Sequence, residues 1–172
     1  MIAPAVVEIE AITTQIEHCD AQLSAIAKAS PVAKNLRTMR GVGVLTSLAF
    51  IAAVDDPRRF QDARQLSSYL GLVPSENNSG DSTRRPGAIT KTGDPLLRAY
   101  LVEAAYAMTN KRAPVSNLRN FFIRATSQKG SKLKAAVAVA RRMARVLWAM
   151  WRDETPFNDS RTAPLSPERS AA

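Results

Sequence analysis

Residues 131–152 read SKLKAAVAVARRMARVLWAMWR, and this stretch decides the fold. Leu133, Val137, Ala140, Ala144, Leu147 and Trp151 recur at helical spacing, so a long helix carries one apolar face. Lys134, Arg141, Arg145 and Arg152 form a different stripe, at intervals of 7, 4 and 7. One face packs while another offers positive charge. Trp148 and Trp151 are read as core or interface residues rather than as platforms for bases. A helix of this kind needs helical neighbours, and the rest of the chain shows no sustained period-2 alternation. The expected fold class is all-α.

The neighbours are legible upstream. Residues 115–128 read as a helix with Leu118, Phe121, Phe122 and Ala125 inward, broken by Lys129-Gly130-Ser131. Asp94-Pro95 starts another, with Asp as N-cap and Pro at the first helical position. Its buried face is Leu97, Leu101, Ala104, Ala105 and Met108. A short helix places Ala63, Leu66, Tyr69 and Leu70 on one side and stops at Gly71. Asp55 and Asp56 precede Pro57 and read as a turn and helix start rather than a metal site. Further upstream, an apolar helix runs into Gly41-Val42-Gly43, and a second begins near Leu45. The pattern resembles a helix-hairpin-helix motif, in which amides at the start of the second helix face a phosphate oxygen. A tight inter-helix turn that touches no nucleic acid fits the same residues.

The N-terminal segment is different. Ile9, Ile12, Ile16, Cys19, Leu23 and Ile26 are spaced 3, 4, 3, 4, 3, the a/d seam of a heptad helix. Such a seam needs cover: a second copy of the chain, a segment outside it, or its own domain. Cys19 falls on the seam and reads as a small buried hydrophobe. His18 lies beside the seam and reads as a surface residue. Ser30-Pro31 ends the helix. The expected organisation is a coiled-coil-like helix over 1–32, a helical domain over 33–153, and a disordered tail over 154–172 with several prolines and small polar residues.

Composition narrows the function. The 172 residues include 24 Lys+Arg and 15 Asp+Glu, a net charge of +9. One Cys excludes an intramolecular disulfide framework and a Cys-cluster metal site, and one His excludes paired-His metal motifs. No apolar run reaches the ~18–20 residues of a membrane span, and the N-terminus lacks a basic signal-peptide region. A cytoplasmic protein with no membrane association is expected. The charge is concentrated. Residues 104–152 hold eleven bases and no acid, while the flanking segments are near neutral. Many cations on one surface repel unless a polyanion or bound counterions offset them, so nucleic acid is the expected partner.

The chemistry-bearing segment is the polar stretch from Val73 to Gly93, unusually long for a loop in a compact domain. It mixes hydroxyls and glycines with cations. Ser79 precedes Gly80, and Arg84, Arg85, Lys91 and Arg98 can bring positive charge to one place. Phosphoryl transfer needs a positioned nucleophile and cations on the non-bridging oxygens. A serine hydroxyl also needs a base or metal, and neither is near in sequence. Composition alone therefore favours phosphate binding over catalysis. A Walker A spacing is absent.

Several blocks occur in order: Gly41-Val42-Gly43, Arg58-Arg59-Phe60, Gln65-Leu66, Tyr69-Leu70-Gly71-Leu72, Pro74, Ser79-Gly80, Gly87, Ile89-Thr90-Lys91, Gly93-Asp94 and Leu97-Arg98. Together they resemble the C-terminal transposase domain of the insertion-sequence one-ten/one-sixteen family of bacterial transposases, over about residues 34–110. The resemblance implies DNA transposition guided by a structured bridge RNA. It places the catalytic serine at Ser79, which would attack a DNA phosphodiester and form a transient phosphoserine link. Ser75 and Ser82 lie in the same loop. The family's acidic Asp-Glu-Asp-Asp site, which would hold Mg2+, belongs to an N-terminal RuvC-like domain that this sequence does not contain. The chain is thus expected to be the C-terminal part of such an enzyme, with no cofactor of its own, binding nucleic acid without recombining it alone. Gly41, Gly43, Arg84, Arg85, Lys91, Arg98, Lys134, Arg141 and Arg145 are the expected nucleic-acid contacts. Oligomerisation is expected through the N-terminal helix. A non-enzymatic remnant that modulates an intact transposase is the competing reading.

Overall fold

The computed structural model describes residues 3–76, 86–110 and 115–159. Seven α-helices account for most of them: α1 (Ala3–Ala29), α2 (Pro31–Leu36), α3 (Val44–Val54), α4 (Ala63–Tyr69), α5 (Pro95–Thr109), α6 (Asn117–Lys129) and α7 (Lys132–Arg152). A 3-10 turn, Pro57–Arg59, joins α3 to α4. The class is all-α, as the periodicity predicts. One addition concerns the polar stretch after Gly71, whose ends form a two-stranded antiparallel ribbon, β1 (Pro74–Glu76) and β2 (Pro86–Ile89). These strands are too short for alternation to reveal them, and each begins on a proline, which suits a short edge strand.

Local chemistry sets the helix ends. The Ser30 hydroxyl accepts from the Ala33 amide at the start of α2, and Asp62 accepts from Arg64 and Gln65 at the start of α4. Asp94 accepts from Leu96, Ser116 from Arg119 and Ser131 from Lys134. Each cap satisfies an amide that has no partner within its helix. Gly130 closes α6 in the left-handed region at φ 61°, where glycine carries no Cβ penalty. Replacing the α5 cap, Asp94→Ala, is expected to cost about 1 kcal/mol and lower Tm by roughly 2–4 °C in a thermal melt.

Helix α7 is the axis of the domain, with α2, α4, α5, α6 and the 3-10 turn packed on it. Its buried face comprises Ala136, Val139, Ala140, Met143, Ala144 and Leu147, with Trp148 almost fully covered. Phe50 from α3, Leu66 from α4, Leu101 from α5 and Leu118 from α6 meet this face. The indole N–H of Trp148 donates to the Pro57 carbonyl at 2.8 Å, tying the 3-10 turn to α7. Leu133 departs from its expected inward position and is 60 % exposed. It sits in the first turn of α7, where the buried positions are instead Ala135 and Ala136. The charged stripe also shortens, because Arg152 stacks on Trp148 at 4.4 Å and pairs with Asp153 at 2.8 Å.

Two terminal expectations change. Helix α1 packs against α2 and α3 only through its last turns, where Ala27 is buried. Its seam residues Ile9, Ile12 and Ile16 are more than half exposed, and Cys19 is exposed rather than buried. The reason is geometric: the helix extends past the domain, leaving its N-terminal turns with no surface to pack on. At the other end, residues 154–159 fall in the segment expected to be a disordered tail, yet they are tied to the domain. The Phe157 amide donates to Thr38 Oγ1 at 2.9 Å, and Asn35 Nδ2 donates to the Thr155 carbonyl at 3.0 Å. The Asp159 carboxylate accepts from the Asn117 amide. These bonds cross more than forty residues of sequence, which composition does not reveal. Residues 160–172 lie outside the described residues. Among the described residues, no helix is long and apolar enough to cross a membrane.

Candidate nucleic-acid interface

A groove of about 1460 Å³ runs along α7 between α6 and the β1–β2 ribbon. Six cations line it: Lys91, Lys129, Lys134, Arg141, Arg142 and Arg145. Among the described residues, no Asp or Glu lines it. Lys91, Lys129, Lys134 and Arg145 are exposed, while Arg141 and Arg142 are half-buried. The deeper lining is apolar, with Leu72, Trp148 and Met150 buried and Phe121, Val137 and Val146 half-buried.

The cations strain against one another. Burial, then Arg145 and Arg64, pull the Arg141 guanidinium below the usual arginine range. Burial, then Arg145 and Arg124, do the same to Arg142. Arginine remains charged at physiological pH regardless, so the repulsion persists until an anion offsets it. Arg142 is held over the Phe121 ring at 4.9 Å, a cation–π contact that fixes the guanidinium on the groove wall. The Asp62 carboxylate offsets the cluster only at Arg145 and Arg64. The Gln65 amide holds it below the usual carboxylate range, with Arg64 and Arg145 adding to that, and it is occupied in capping α4.

The ribbon stands on two glycine turns that pack backbone to backbone. Gly71 has φ 65° and Gly93 φ 78°. A Cβ on Gly71 would meet the Thr92 backbone, and one on Gly93 would meet the Tyr69 carbonyl. The Lys91 amide donates to the Gly71 carbonyl at 3.2 Å, and the Thr90 amide to Val73 at 2.9 Å. One guanidinium nitrogen of Arg98 closes the assembly, donating to the carbonyls of Thr92 at 2.7 Å, Gly93 at 3.0 Å and Leu70 at 3.4 Å. The Ser75 hydroxyl donates across the ribbon to the Ala88 carbonyl at 2.8 Å.

The expected contacts therefore separate into groups. Lys91, Lys134, Arg141 and Arg145 come together in one groove, although Lys91 is 43 residues from Lys134 in sequence. Lys129 and Arg142 join them; the signal for Arg142 was its place three residues before Arg145 on the same helix. Arg98 does not join them, since its guanidinium braces the ribbon. Arg98→Met is expected to cost about 2 kcal/mol through the lost charged hydrogen bonds. The slope of nucleic-acid affinity against salt is expected to stay unchanged, which a melt and a salt titration check together. Gly41 and Gly43 line a separate recess and are not among the groove residues. Gly41, at φ 85°, brings the α2–α3 turn against α5, where a Cβ would lie 2.5 Å from the Ala104 carbonyl oxygen. Gly43 N-caps α3. The recess of about 520 Å³ beside them carries the carboxylates of Asp20 and Glu103, which repel a phosphate. Ser79, Arg84 and Arg85 lie outside the described residues. Among the described residues, no group of three or more His, Cys, Asp or Glu side chains assembles.

A helical domain whose long groove is lined, among the described residues, by six cations and no carboxylate is, by its chemistry, a surface for a polyanion. Residues 33–122, just over half of the chain, match the Transposase IS116/IS110/IS902 family, and the chain belongs to that family. It is 30 % identical over 150 residues to a probable family 20 transposase of Pseudomonas aeruginosa, covering 87 % of this chain and 44 % of the relative. It is 33 % identical over 129 residues to the transposase for insertion sequence element IS1111A of Coxiella burnetii, covering 75 % of this chain and 35 % of the relative. A pilin gene-inverting protein of Moraxella bovis is 30 % identical over 147 residues, 84 % of this chain and 45 % of that protein. The chain thus spans less than half the length of these relatives.

Proposed function

We propose that this chain is the DNA-binding and serine-bearing part of an insertion-sequence transposase, with the nucleic-acid backbone lying along the α7 groove beside the β1–β2 ribbon. The observation that carries the proposal is the groove itself: among the described residues, six cations from α6, α7 and the ribbon's return turn line it, and no carboxylate does. Ser79 follows Glu76, the last residue of β1, by three residues in sequence. Ser75 is the weaker nucleophile of the loop, because its hydroxyl proton is already donated to Ala88.

In this reading, Ser79 Oγ bonds to the phosphorus of a DNA phosphodiester as the bond to the leaving sugar oxygen breaks. The proton lost by the serine ends on the leaving hydroxyl. The groove cations stabilise the charge on the non-bridging oxygens. Activation of the serine falls to a RuvC-like domain with its acidic Mg2+ site, and a structured guide RNA is a further partner. The exposed heptad seam of α1 pairs two copies of the chain.

The test is a strand-transfer reaction supplied with Mg2+ and a RuvC-like domain. Ser79→Ala is expected to remove the covalent protein–DNA adduct, read on a denaturing gel, while Ser75→Ala and Ser82→Ala retain it. The 172-residue chain alone is expected to bind DNA and form no adduct. An adduct that survives Ser79→Ala overturns the assignment of the nucleophile. Strand transfer by the chain alone overturns the division of labour.

A further inference from the structure

Phosphates alone do not account for the groove. A surface that only neutralises a duplex backbone needs exposed cations, and apolar lining adds nothing to it. Here the exposed cations Lys134 and Arg145 border buried or half-buried apolar residues, Val137 and Trp148 among them. Leu133 is 60 % exposed on the same groove, although it belongs to the apolar set of α7. Phe121 is half-buried there with the Arg142 guanidinium over its ring at 4.9 Å, a planar pair of the kind on which bases stack. A duplex keeps its bases stacked inside and offers such a lining nothing. A separated strand offers an apolar base and an anionic phosphate at each nucleotide.

We infer that the α7 groove takes an unpaired nucleic-acid strand, its bases against Phe121, Leu133 and Val137 and its phosphates against Lys134, Arg141 and Arg145. The inference rests on the reading of the groove as the nucleic-acid interface and names the form of nucleic acid it holds. An acidic peptide also complements the charge. It lacks the regular alternation of flat apolar group and phosphate that matches apolar residues bordered by cations along one helix face.

The test compares the full 172-residue chain on four probes: a twenty-nucleotide oligo-dT, an oligo-rU of the same length, a twenty-base-pair duplex and poly-glutamate. The single strands are expected to bind about tenfold more tightly than the duplex at equal salt. With Lys134, Arg141 and Arg145 engaged, their affinity is expected to fall with a log–log salt slope of about −2. The two single strands distinguish a DNA source from an RNA source, and preference for either supports the inference. Leu133→Ser with Val137→Ser, and separately Phe121→Leu, are expected to remove that preference. A helical circular-dichroism signal equal to that of the unaltered chain verifies that each variant folds. Should a variant fail to fold, a 2-aminopurine-labelled strand added to the unaltered chain gives the same information: its fluorescence changes when the base meets Phe121 and stays constant when only phosphates are held. Equal affinity for strand and duplex, or tighter binding of poly-glutamate than of either strand, overturns this inference. Failure of every oligonucleotide to bind at low salt overturns the reading of the groove as well.

Discussion

Reversing two charges, Arg141→Glu with Arg145→Glu, is expected to weaken nucleic-acid binding by about 10²-fold near 0.1 M salt, with little change in Tm. Both residues line the groove, whose described lining residues include no Asp or Glu; Asp62, which caps α4, acts on Arg145 from outside that lining. Each engaged cation adds to the salt dependence, so the slope on a duplex is expected to fall from about −5 to about −3. The stability half of the expectation follows from the repulsion already present. Arg145 is the cation that acts most strongly on both Arg141 and Arg142. Arg145→Gln is therefore expected to leave Tm equal or slightly higher while affinity drops. A fluorescence-anisotropy titration at several salt concentrations, beside a thermal melt, reads both effects. A loss of affinity accompanied by an equal loss of folding would mean that these arginines hold the domain together instead.

Gly71→Ala is expected to be the most damaging small substitution near the ribbon. At φ 65° an alanine carries the left-handed penalty of about 1–2 kcal/mol. Its Cβ would also overlap the Thr92 carbonyl oxygen and come within 2.5 Å of the Thr92 nitrogen. Both obstacles are backbone, so relief requires the α4 end and the Thr92 turn to part. That movement breaks the Lys91-to-Gly71 hydrogen bond and withdraws carbonyls from Arg98. The expected total is about 3–5 kcal/mol, a fall in Tm of roughly 10 °C. Hydrogen exchange is expected to show the amides of Thr90 and Lys91 losing protection before those of α7. Gly43→Ala serves as the contrast, because a Cβ there meets nothing within 4 Å.

Much of this fold is legible in local chemistry. The Asp94-Pro95 start of α5, the Ser116 and Ser131 caps and the Gly130 stop each act within a few residues, and the chain alone reveals them. The apolar face of α7 is legible apart from Leu133 and the choice between Trp148 and Trp151. Both depend on where neighbouring helices end. What the sequence conceals is long-range. Arg98 looks like a phosphate ligand until Leu70 and Thr92 are seen to meet around it. Lys91 looks like one more loop cation until the ribbon carries it to α7. The Gly41–Gly43 turn resembles a phosphate-binding hairpin, and only the fold brings Asp20 and Glu103 beside it. Cys19 looks buried because heptad spacing presumes a neighbour that the described domain does not supply.

The central claim is that nucleic acid lies in the α7 groove, and lysine footprinting tests it most directly. The chain is treated with an acetylating reagent, with and without a saturating oligonucleotide, and each lysine is read by mass spectrometry. Lys91, Lys129 and Lys134 line the groove, whereas Lys28 and Lys34 are exposed on α1 and α2. The expected result is that the oligonucleotide protects the three groove lysines several-fold and leaves Lys28 and Lys34 as reactive as before. Protection of Lys28 and Lys34 with the groove lysines unchanged would contradict the account and place the nucleic acid on α1 and α2 instead.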